Sequence, residues 1–411
     1  MVPVSRSAAV ISRPEPMASV PPLRLTSAPK ILLYSHDTFG LGNIRRTLLL
    51  AGALREEWPG AAVLIVTGSP VIHSFRVPEG IDYIKLPCLD RVAADNYRPK
   101  FLADWSAEVT RLRRAILRRT VLGFGPDLMI VDKRAGGIDG ELVDTLRTLR
   151  RSSRPVRLVL GIRDILDEPE KTRHSLEKSG CLQLAERYFD EVWIYGEQAI
   201  FDAVREYGFP TAVAGKTRFC GYLRRPTTRT ARKPGPPRVL VATGGGGDGS
   251  EMIRTYLEGL SALPRSIAID STVVFGPEMP EAERAAIYQR FGAMADVTFV
   301  DFEPDMTHRY AEADVVVSMA GYNTVCELLS FGLRAVLVPR AFPVSEQLVR
   351  ARLLAARGCC EVVEPEELRP DRLLEAVQQA LRHEPRPVTV DLEGLPRIRE
   401  RARALLGSGF E

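Results

Sequence analysis

The chain has 411 residues, of which 45% are hydrophobic and 26% are charged, and its formal net charge is +4. This length exceeds what one hydrophobic core usually organises, so we expect two or three domains of the soluble globular type. The mild charge gives no indication of nucleic-acid binding, and the lack of an apolar run of about 20 residues excludes a membrane-spanning helix.

The chain opens with residues 1–28, which are rich in Pro, Ser and Arg and show no hydrophobic periodicity. We predict a disordered tail there. Residues 30–35 (KILLYS) then have the pattern of a buried strand, and a loop with Gly40 and Gly42 leads into an amphipathic helix. A strand, a glycine-bearing loop and a helix are a typical opening of a nucleotide-binding fold, although GLGN does not match the GxGxxG fingerprint.

Further apolar segments alternate with helix-length segments through the first half of the chain. They lie at residues 62–67, 81–86, 127–131, 157–161 and 191–194. This alternation predicts a doubly wound parallel sheet, in which the polar residues that follow the strands share one edge. Four of the residues expected at that edge are His36, Asp132, Arg163 and Asp164. Arg163 and Asp164 either contact a substrate or only fix a loop.

Two segments of the middle region are strongly basic. Residues 111–124 (RLRRAILRRTVLGF) predict an amphipathic helix, whose charged face either docks on anionic lipid or is simply solvated. Residues 224–237 are rich in Pro, Thr and basic residues and lack an apolar pattern, which is typical of a linker. We therefore predict a first domain at residues 29–223 and a second at residues 238–390.

The second half opens as the first does, with the strand RVLVAT, the turn GGGGDGS and a helix. Gly245, Gly246 and Gly247 allow backbone N–H groups to approach a pyrophosphate closely. The alternative interpretation is an ordinary flexible turn. The segment is not a P-loop, because no Gly-Lys-Ser/Thr sequence closes it.

The most informative stretch runs from Ser318 to Arg350. A β-branched apolar run (ADVVVSM) leads through Gly321 into a helix that Asn323 or Thr324 can cap. Glu327 lies on the same helical face as Thr324, where a carboxylate can accept hydrogen bonds from two vicinal ribose hydroxyls. The alternative is a capping box formed by Thr324 and Glu327.

A second apolar strand at residues 333–339 is followed by Glu346 and Gln347, which open another helix. The ordered set Gly321, Thr324, Glu327, Glu346 and Gln347 resembles the donor-nucleotide motif of two-domain (GT-B) glycosyltransferases of family 28. The best-known members are the peptidoglycan N-acetylglucosaminyltransferases (MurG-like). The likeness in spacing, residue type and strand context extends over residues 301–350.

This resemblance implies an α/β fold with two Rossmann-like, doubly wound parallel-sheet domains and a cleft between them. It also implies that residues 391–411 form a final helix that crosses back to the first domain. The donor would be a UDP-sugar, with Glu327 on the ribose and Glu346 and Gln347 on the sugar. Phe302 would pack on the nucleobase, unless it is only a core residue. The phosphates would lie at Gly245, Gly246, Gly247, Gly321 and Thr324, and Asn323 is a further predicted donor-binding residue.

On the acceptor side, the loop with Gly40 and Gly42 is similar to that of bacterial relatives, which usually carry a histidine at the position of Asn43. His36 is a candidate to replace that histidine as general base, and Asp132 and Asp164 are the other candidates. Arg45 either helps to bind an anionic acceptor or is a surface residue. Arg163 completes the predicted acceptor side.

The six cysteines are scattered without a CxxC pair, so we expect reduced thiols, no metal and no cofactor besides the co-substrate. The predicted location is cytoplasmic, and the alternative is peripheral contact with the inner face of a membrane through residues 111–124. The predicted function is a hexosyltransferase that uses a UDP-sugar and a lipid-linked, saccharide or small-molecule acceptor. The alternatives are a UDP-sugar 2-epimerase-like enzyme on the same fold and a non-catalytic nucleotide-sugar-binding protein.

Overall fold

The computed structural model of the protein describes residues 28–36, 42–93, 96–227, 234–264, 267–382, 389–407 and 410. Residues 1–27 of the predicted tail, Gly40, and residues 228–233 of the predicted linker lie outside the described residues. The described residues form two α/β domains, each built on its own parallel sheet. This is the architecture that the alternation of strand and helix patterns predicted.

The first domain is organised by one large parallel sheet. The strands of the domain are β1 (Lys30–Ser35), β2 (Ala62–Thr67), β3 (Ile81–Lys85), β4 (Leu89–Ala93), β5 (Asn96–Pro99), β6 (Leu128–Asp132), β7 (Arg157–Arg163), β8 (Glu191–Tyr195) and β9 (Thr217–Phe219). Its helices are α1 (Gly42–Glu57), α2 (Ser106–Phe124), α3 (Val143–Arg151), α4 (Pro169–Lys178), α5 (Cys181–Tyr188), α6 (Ala203–Glu206) and α7 (Thr211–Ala214). The sheet order is β3-β2-β1-β6-β7-β8-β9, while β4 and β5 form a separate antiparallel hairpin.

The second domain repeats this plan with shorter strands. Its strands are β10 (Arg238–Ala242), β11 (Asp270–Val274), β12 (Val297–Val300), β13 (Val315–Ser318), β14 (Arg334–Leu337) and β15 (Glu361–Val362). The helices that follow in the chain are α8 (Ser250–Ala262), α9 (Glu281–Phe291), α10 (Thr307–Glu312), α11 (Tyr322–Phe331), α12 (Glu346–Ala356), α13 (Pro370–Arg382) and α14 (Gly394–Leu406). The sheet order is β12-β11-β10-β13-β14-β15.

Both sheets contain a point at which the chain order reverses, between β1 and β6 in the first and between β10 and β13 in the second. Loops leave such neighbouring strands in opposite directions and open a crevice at the carboxyl edge. His36 follows β1, and Asp132 ends β6. The glycine turn follows β10, and Gly321 follows β13. The predicted site residues therefore concentrate at the two crevices.

The two halves of the chain contact each other at several places. Tyr222, at the end of the first domain, stacks on Tyr322 of α11 with ring centroids 6.0 Å apart. Helix α14 packs against α1, and its Arg401 forms an ion pair with Glu191 of β8. The final helix therefore lies on the first domain, which makes the chain cross between the domains twice.

Candidate functional site

The glycine turn after β10 and the start of α11 lie side by side at the carboxyl edge of the second sheet. β10 and β13 are direct parallel neighbours. A Cβ atom placed on Gly244 or on Gly321 would lie 3.9 Å from Oγ1 of Thr324 in both cases. The two segments that we expected to hold a diphosphate thus face one gap.

The glycines of this turn have different roles. Gly246 is buried at a φ of 94°, and a Cβ atom there would lie 2.4 Å from the carbonyl oxygen of Phe275. The carbonyl of Gly245 accepts a hydrogen bond of 2.8 Å from the backbone of Glu278. Gly244 and Gly247 are exposed. Gly246 therefore packs the turn onto the loop after β11, while Gly244, which the sequence analysis did not select, faces α11.

The start of α11 differs from the predicted capping arrangement. Gly321 is the N-cap residue, and no side chain caps the helix. The expectation that Asn323 or Thr324 caps α11, and the alternative of a capping box with Glu327, are wrong because both residues lie within the first turn. Helix α8 also begins without a side-chain cap. At both starts the backbone N–H groups and the positive end of the helix dipole suit an anionic ligand.

Two buried carboxylates belong to this region, and in each of them only one of the two oxygens has a hydrogen-bond partner. One oxygen of Glu327 (Oε1) pairs with Arg45 of α1. The corresponding oxygen of Glu346 accepts a 2.9 Å hydrogen bond from Arg340 and lies 3.5 Å from Arg163. The second oxygen of each carboxylate is buried without a hydrogen-bond partner. Because an unsatisfied buried acceptor costs about 1–3 kcal/mol, both oxygens are candidate acceptors for ligand hydroxyls.

Glu346 is held in its ionised form. Burial by itself raises the pKa of a carboxyl group, but Arg163, Arg340, Arg350 and Lys133 lower the pKa of Glu346 below its ordinary value. Arg340 also forms an ion pair of 2.7 Å with Asp248 of the glycine turn. This arginine therefore ties the start of α12 to the turn after β10.

Asn323 faces the first domain rather than the gap. Its side-chain nitrogen donates a 2.7 Å hydrogen bond to the carbonyl of Gly42, and its side-chain oxygen accepts one of 3.0 Å from Arg225. The amide thus has both polar atoms engaged in the contact between the domains. Thr324, one residue further along α11, is the side chain that lies next to the glycine turn.

His36 is buried at the carboxyl end of β1, and its Nδ1 atom makes no hydrogen bond. Burial, together with the positive charges of Lys133, Arg134, Arg46 and Arg113, lowers its pKa well below the ordinary value of 6.5. The imidazole is therefore neutral at pH 7, which is the form that can accept a proton. Lys133 influences the pKa of both His36 and Glu346, so both groups lie within the field of one ammonium.

The two carboxylate candidates for the base are engaged in buried ion pairs. Asp132 accepts hydrogen bonds of 2.7 and 2.8 Å from one guanidinium nitrogen of Arg46. Asp164 accepts bonds of 2.8 and 2.7 Å from Arg350 and a third of 3.0 Å from Tyr222. Because arginine keeps these oxygens occupied, His36 is the candidate best prepared to take a proton.

The remaining predicted residues lie around the same cleft. Asn43 accepts a 3.0 Å hydrogen bond from Arg46, and Gln347 accepts a long one of 3.4 Å from the backbone of Arg340. Phe302 follows β12 and is half-buried. The structure therefore brings Gly42, Arg45 and Arg163 from the first domain against residues of the second.

Sequence reasoning missed three groups that organise the cleft: Arg340, Arg350 and Lys133. The available signal was proximity in sequence: Arg340 and Arg350 stand close to the predicted Glu346, and Lys133 follows the predicted Asp132. The described ranges bring together no group of three or more His, Cys, Asp or Glu side chains that could hold a metal ion. Among the helices in those ranges, none has the length and apolar character that crossing a bilayer requires.

Comparison with known sequences supports this reading of the second domain. Residues 239–397 match the glycosyltransferase family 28 C-terminal domain. The UDP-N-acetylglucosamine--N-acetylmuramyl-(pentapeptide) pyrophosphoryl-undecaprenol N-acetylglucosamine transferase of Mannheimia succiniciproducens is 33% identical over 153 residues, which are 36% of this chain and 41% of that protein. The enzyme of the same name from Phenylobacterium zucineum is 32% identical over 206 residues, 48% of this chain and 53% of that protein. The chain thus spans about half the length of the curated relatives it matches.

Similarity to solved structures extends over both domains. The calicheamicin glycosyltransferase CalG4 covers 93% of this chain with a TM-score of 0.59 at 17% identity, and 99% of that structure is covered. MurG of Acinetobacter baumannii covers 92% of this chain with a TM-score of 0.54 at 18% identity, and 95% of it is covered. MnaA of S. aureus with UDP covers 92% of this chain with a TM-score of 0.61 at 13% identity, and 97% of it is covered. The predicted two-domain GT-B fold is confirmed.

Proposed function

Because residues 239–397 match the glycosyltransferase family 28 C-terminal domain and the chain has the GT-B fold, we propose that the protein is a UDP-sugar-dependent hexosyltransferase. The sugar would be N-acetylglucosamine or another hexose, and relatives named as UDP-N-acetylglucosamine transferases support this choice. The observation that carries the proposal is the pair of buried, half-satisfied carboxylates of Glu327 and Glu346 beside the uncapped start of α11.

The donor binds across the carboxyl edge of the second sheet in this proposal. The diphosphate lies between Gly244 and the N-terminus of α11, where backbone N–H groups and the helix dipole stabilise its charge without a metal. The free oxygen of Glu327 accepts hydrogen bonds from the ribose, and that of Glu346 accepts one from the sugar. Phe302 packs against the base, since it is half-buried in the turn after β12.

Transfer then follows from the position of His36 at the crevice of the first domain. The acceptor oxygen forms a bond to C1 of the sugar while the bond from C1 to the diphosphate oxygen breaks. The acceptor proton passes to the neutral imidazole, and UDP leaves with the electron pair. The two helix N-termini stabilise the negative charge that develops on the diphosphate, which is where such stabilisation lowers the barrier.

Replacing Glu327 by alanine is expected to weaken UDP binding by about 1.5–3 kcal/mol, because hydrogen bonds to a charged group are lost. Calorimetry with UDP measures this change, and Glu366→Ala, on an exposed residue that follows the edge strand β15, is the matched control. The proposed reaction is tested by incubating the protein with labelled UDP-N-acetylglucosamine and a lipid extract. Labelled lipid or saccharide together with free UDP supports transfer. Epimerised donor, or binding without turnover, would contradict it.

We also propose that the acceptor is met at a membrane surface, through what we call the α2 patch (Phe101, Leu102, Trp105 and Leu112). Phe101 and Trp105, which precede α2, are 72% and 60% exposed. The Nζ of Lys100 lies 5.9 Å from the ring centroid of Phe101, and the helix that follows carries exposed arginines. Aromatic side chains next to Lys and Arg are typical of surfaces that insert into the headgroup region of anionic bilayers. Arg113 is an exception, because it is buried against Glu141.

The double variant Phe101→Ser/Trp105→Ser is expected to lose about tenfold or more of its binding to vesicles with anionic lipid, because two large apolar side chains no longer insert. Sedimentation with anionic and with purely zwitterionic vesicles measures this. Tyr288→Ser, on an exposed aromatic residue of the second domain, is the control. Equal sedimentation of the double variant and the unmodified protein would remove the α2 patch from the proposal.

A further inference from the structure

Arg45 belongs to the first domain, but its guanidinium lies in the predicted nucleotide pocket of the second domain. It stands in the first turn of α1, and its guanidinium pairs with one oxygen of Glu327 on α11. The side chain of Glu327 is only 5% exposed and that of Arg45 19% exposed. Arg45 is therefore not a plain surface residue, because its guanidinium contacts a buried carboxylate of the second domain.

The backbone of Arg45 is held independently of Glu327. Its carbonyl accepts a 3.4 Å hydrogen bond from the side chain of Arg225, which also donates to the side chain of Asn323. The backbone nitrogen of Arg225 in turn donates a 2.9 Å bond to Ser330 at the far end of α11. The start of α1 is thus fastened to both ends of α11, and this fixes where the Arg45 side chain begins.

Arg45 also lies close to the turn that follows β12. The pKa of Asp305 in that turn is lowered first by its hydrogen bond to Thr307 and further by the positive charge of Arg45. The turn is the one that carries Phe302. Arg45 therefore contacts the proposed ribose carboxylate, and its charge also acts on the turn proposed to bind the base.

The occupied and free oxygens of Glu327 suggest a division of tasks. An ionised carboxylate offers roughly four lone-pair sites. Arg45 engages one oxygen, and the other is buried without a hydrogen bond. Burial and the charge of Glu327 raise the pKa of Tyr310, so this hydroxyl lies beside the same carboxylate. A carboxylate clamped at one oxygen is held in one rotamer, so the second oxygen presents a fixed target to two vicinal hydroxyls.

We propose that Arg45 is a positioning residue for the nucleoside: it aims the free oxygen of Glu327 at the ribose hydroxyls, so that the first domain completes the donor site. This inference rests on the proposed function, because it assumes that the ligand is a nucleoside diphosphate. It makes donor affinity depend on the contact between the domains. In this proposal Arg45 affects binding through the ribose hydroxyls and not through the diphosphate. A purely electrostatic role would instead act on the charge of the diphosphate.

The test compares UDP with 2′,3′-dideoxy-UDP, which keeps the base and the diphosphate but lacks both hydroxyls. Arg45→Ala is expected to weaken UDP binding about three- to tenfold and to leave binding of the dideoxy analogue unchanged. Arg45→Lys, which keeps the charge, is expected to recover part of the loss. Calorimetric titration of the unmodified full chain and of both variants with each ligand measures these affinities, and thermal unfolding verifies that the variants are folded.

Arg357→Ala is the matched control, since Arg357 contacts Ala199 and Glu197 of the first domain away from the pocket. It is expected to change neither affinity. An equal loss for UDP and the dideoxy analogue in Arg45→Ala would overturn the inference in favour of a diphosphate contact, and no loss for either would overturn it outright. If the unmodified protein fails to bind UDP at all, the proposed function fails instead.

Discussion

Replacing Arg350 by methionine is expected to lower the free energy of unfolding by about 3–5 kcal/mol, because it leaves a buried carboxylate without its counter-charge. Arg350 is 0% exposed and Asp164 2% exposed, and two hydrogen bonds of 2.8 and 2.7 Å join them. Arg350 also donates a 2.8 Å bond to the carbonyl of Ala320, and its guanidinium lies 5.9 Å from the ring of Tyr322.

This ion pair joins the end of β7 in the first domain to α12 in the second. Its loss is therefore expected to uncouple the domains, so that calorimetry shows two separated unfolding transitions instead of one. Arg352→Met is the matched control: it removes an arginine two residues away whose ion pair with Glu364 is exposed, and should cost less than about 1 kcal/mol. If both variants unfold alike, the Asp164–Arg350 pair does not hold the domains together.

A double variant separates the pair from the packing around it. Asp164→Leu/Arg350→Met replaces both charges by apolar side chains and is expected to recover much of the stability lost in the single variant. The reason is that no uncompensated charge then remains in the interior. Continued instability of the double variant would show that the bonds to Ala320 and Tyr222 contribute more than the pair itself.

Replacing His36 by glutamine is expected to lower the rate of sugar transfer by about 10²- to 10⁴-fold while UDP affinity stays within about twofold. Glutamine fills a similar space but cannot accept the acceptor proton. Transfer kinetics and UDP titration measure the two effects, and His73→Gln, on an exposed histidine of the first domain, is the control. Near-normal transfer by the His36 variant would place the base elsewhere in the cleft.

The lowered pKa of His36 also predicts how activity and stability depend on pH. Because the folded state resists protonation, the acid limb of the rate profile should lie below the ordinary histidine value of 6.5. As pH falls below 6.5, the unfolded chain takes up this proton before the folded one does. The contribution of His36 to stability is thus complete above 6.5 and is lost as pH falls toward the folded-state pKa. Unfolding of the unmodified protein and of His36→Gln at about pH 7.5 and about pH 5.5 measures the difference.

Local patterns in the chain were enough to predict the two sheets and the edge at which the site lies. Strands β1 and β2 have the predicted bounds, while β7 continues to Arg163, two residues beyond the predicted end. The strands β9 and β15 and the hairpin of β4 and β5 were not predicted, because their sequences (TRF, EV, LDRVA and NYRP) lack the run of apolar residues that marked the other strands. The expectation that polar residues after parallel strands share one sheet edge nevertheless correctly placed His36 and Asp132 at the first crevice.

The partners of the polar side chains could not be read in the same way. From the sequence, Asp164 could be a catalytic base or a residue that fixes a loop. The structure shows that it pairs with Arg350, which is 186 residues away in the chain. Glu327 and Arg45 are 282 residues apart, and Asn323 reaches back 281 residues to Gly42. Such pairs depend on how one domain is set against the other, and no local spacing encodes that arrangement.

The amino-acid sequence alone specified two parallel-sheet domains and the acidic and glycine residues at their strand ends, because hydrophobic periodicity and glycine placement act within a few neighbouring residues. Only the folded chain decided which carboxylates have both oxygens engaged in buried ion pairs and which keep one oxygen without a hydrogen bond. That outcome depends on burial and on charges contributed by the opposite domain. For this reason the donor edge was predictable, whereas the roles of Arg45, Asn323 and Asp164 were not.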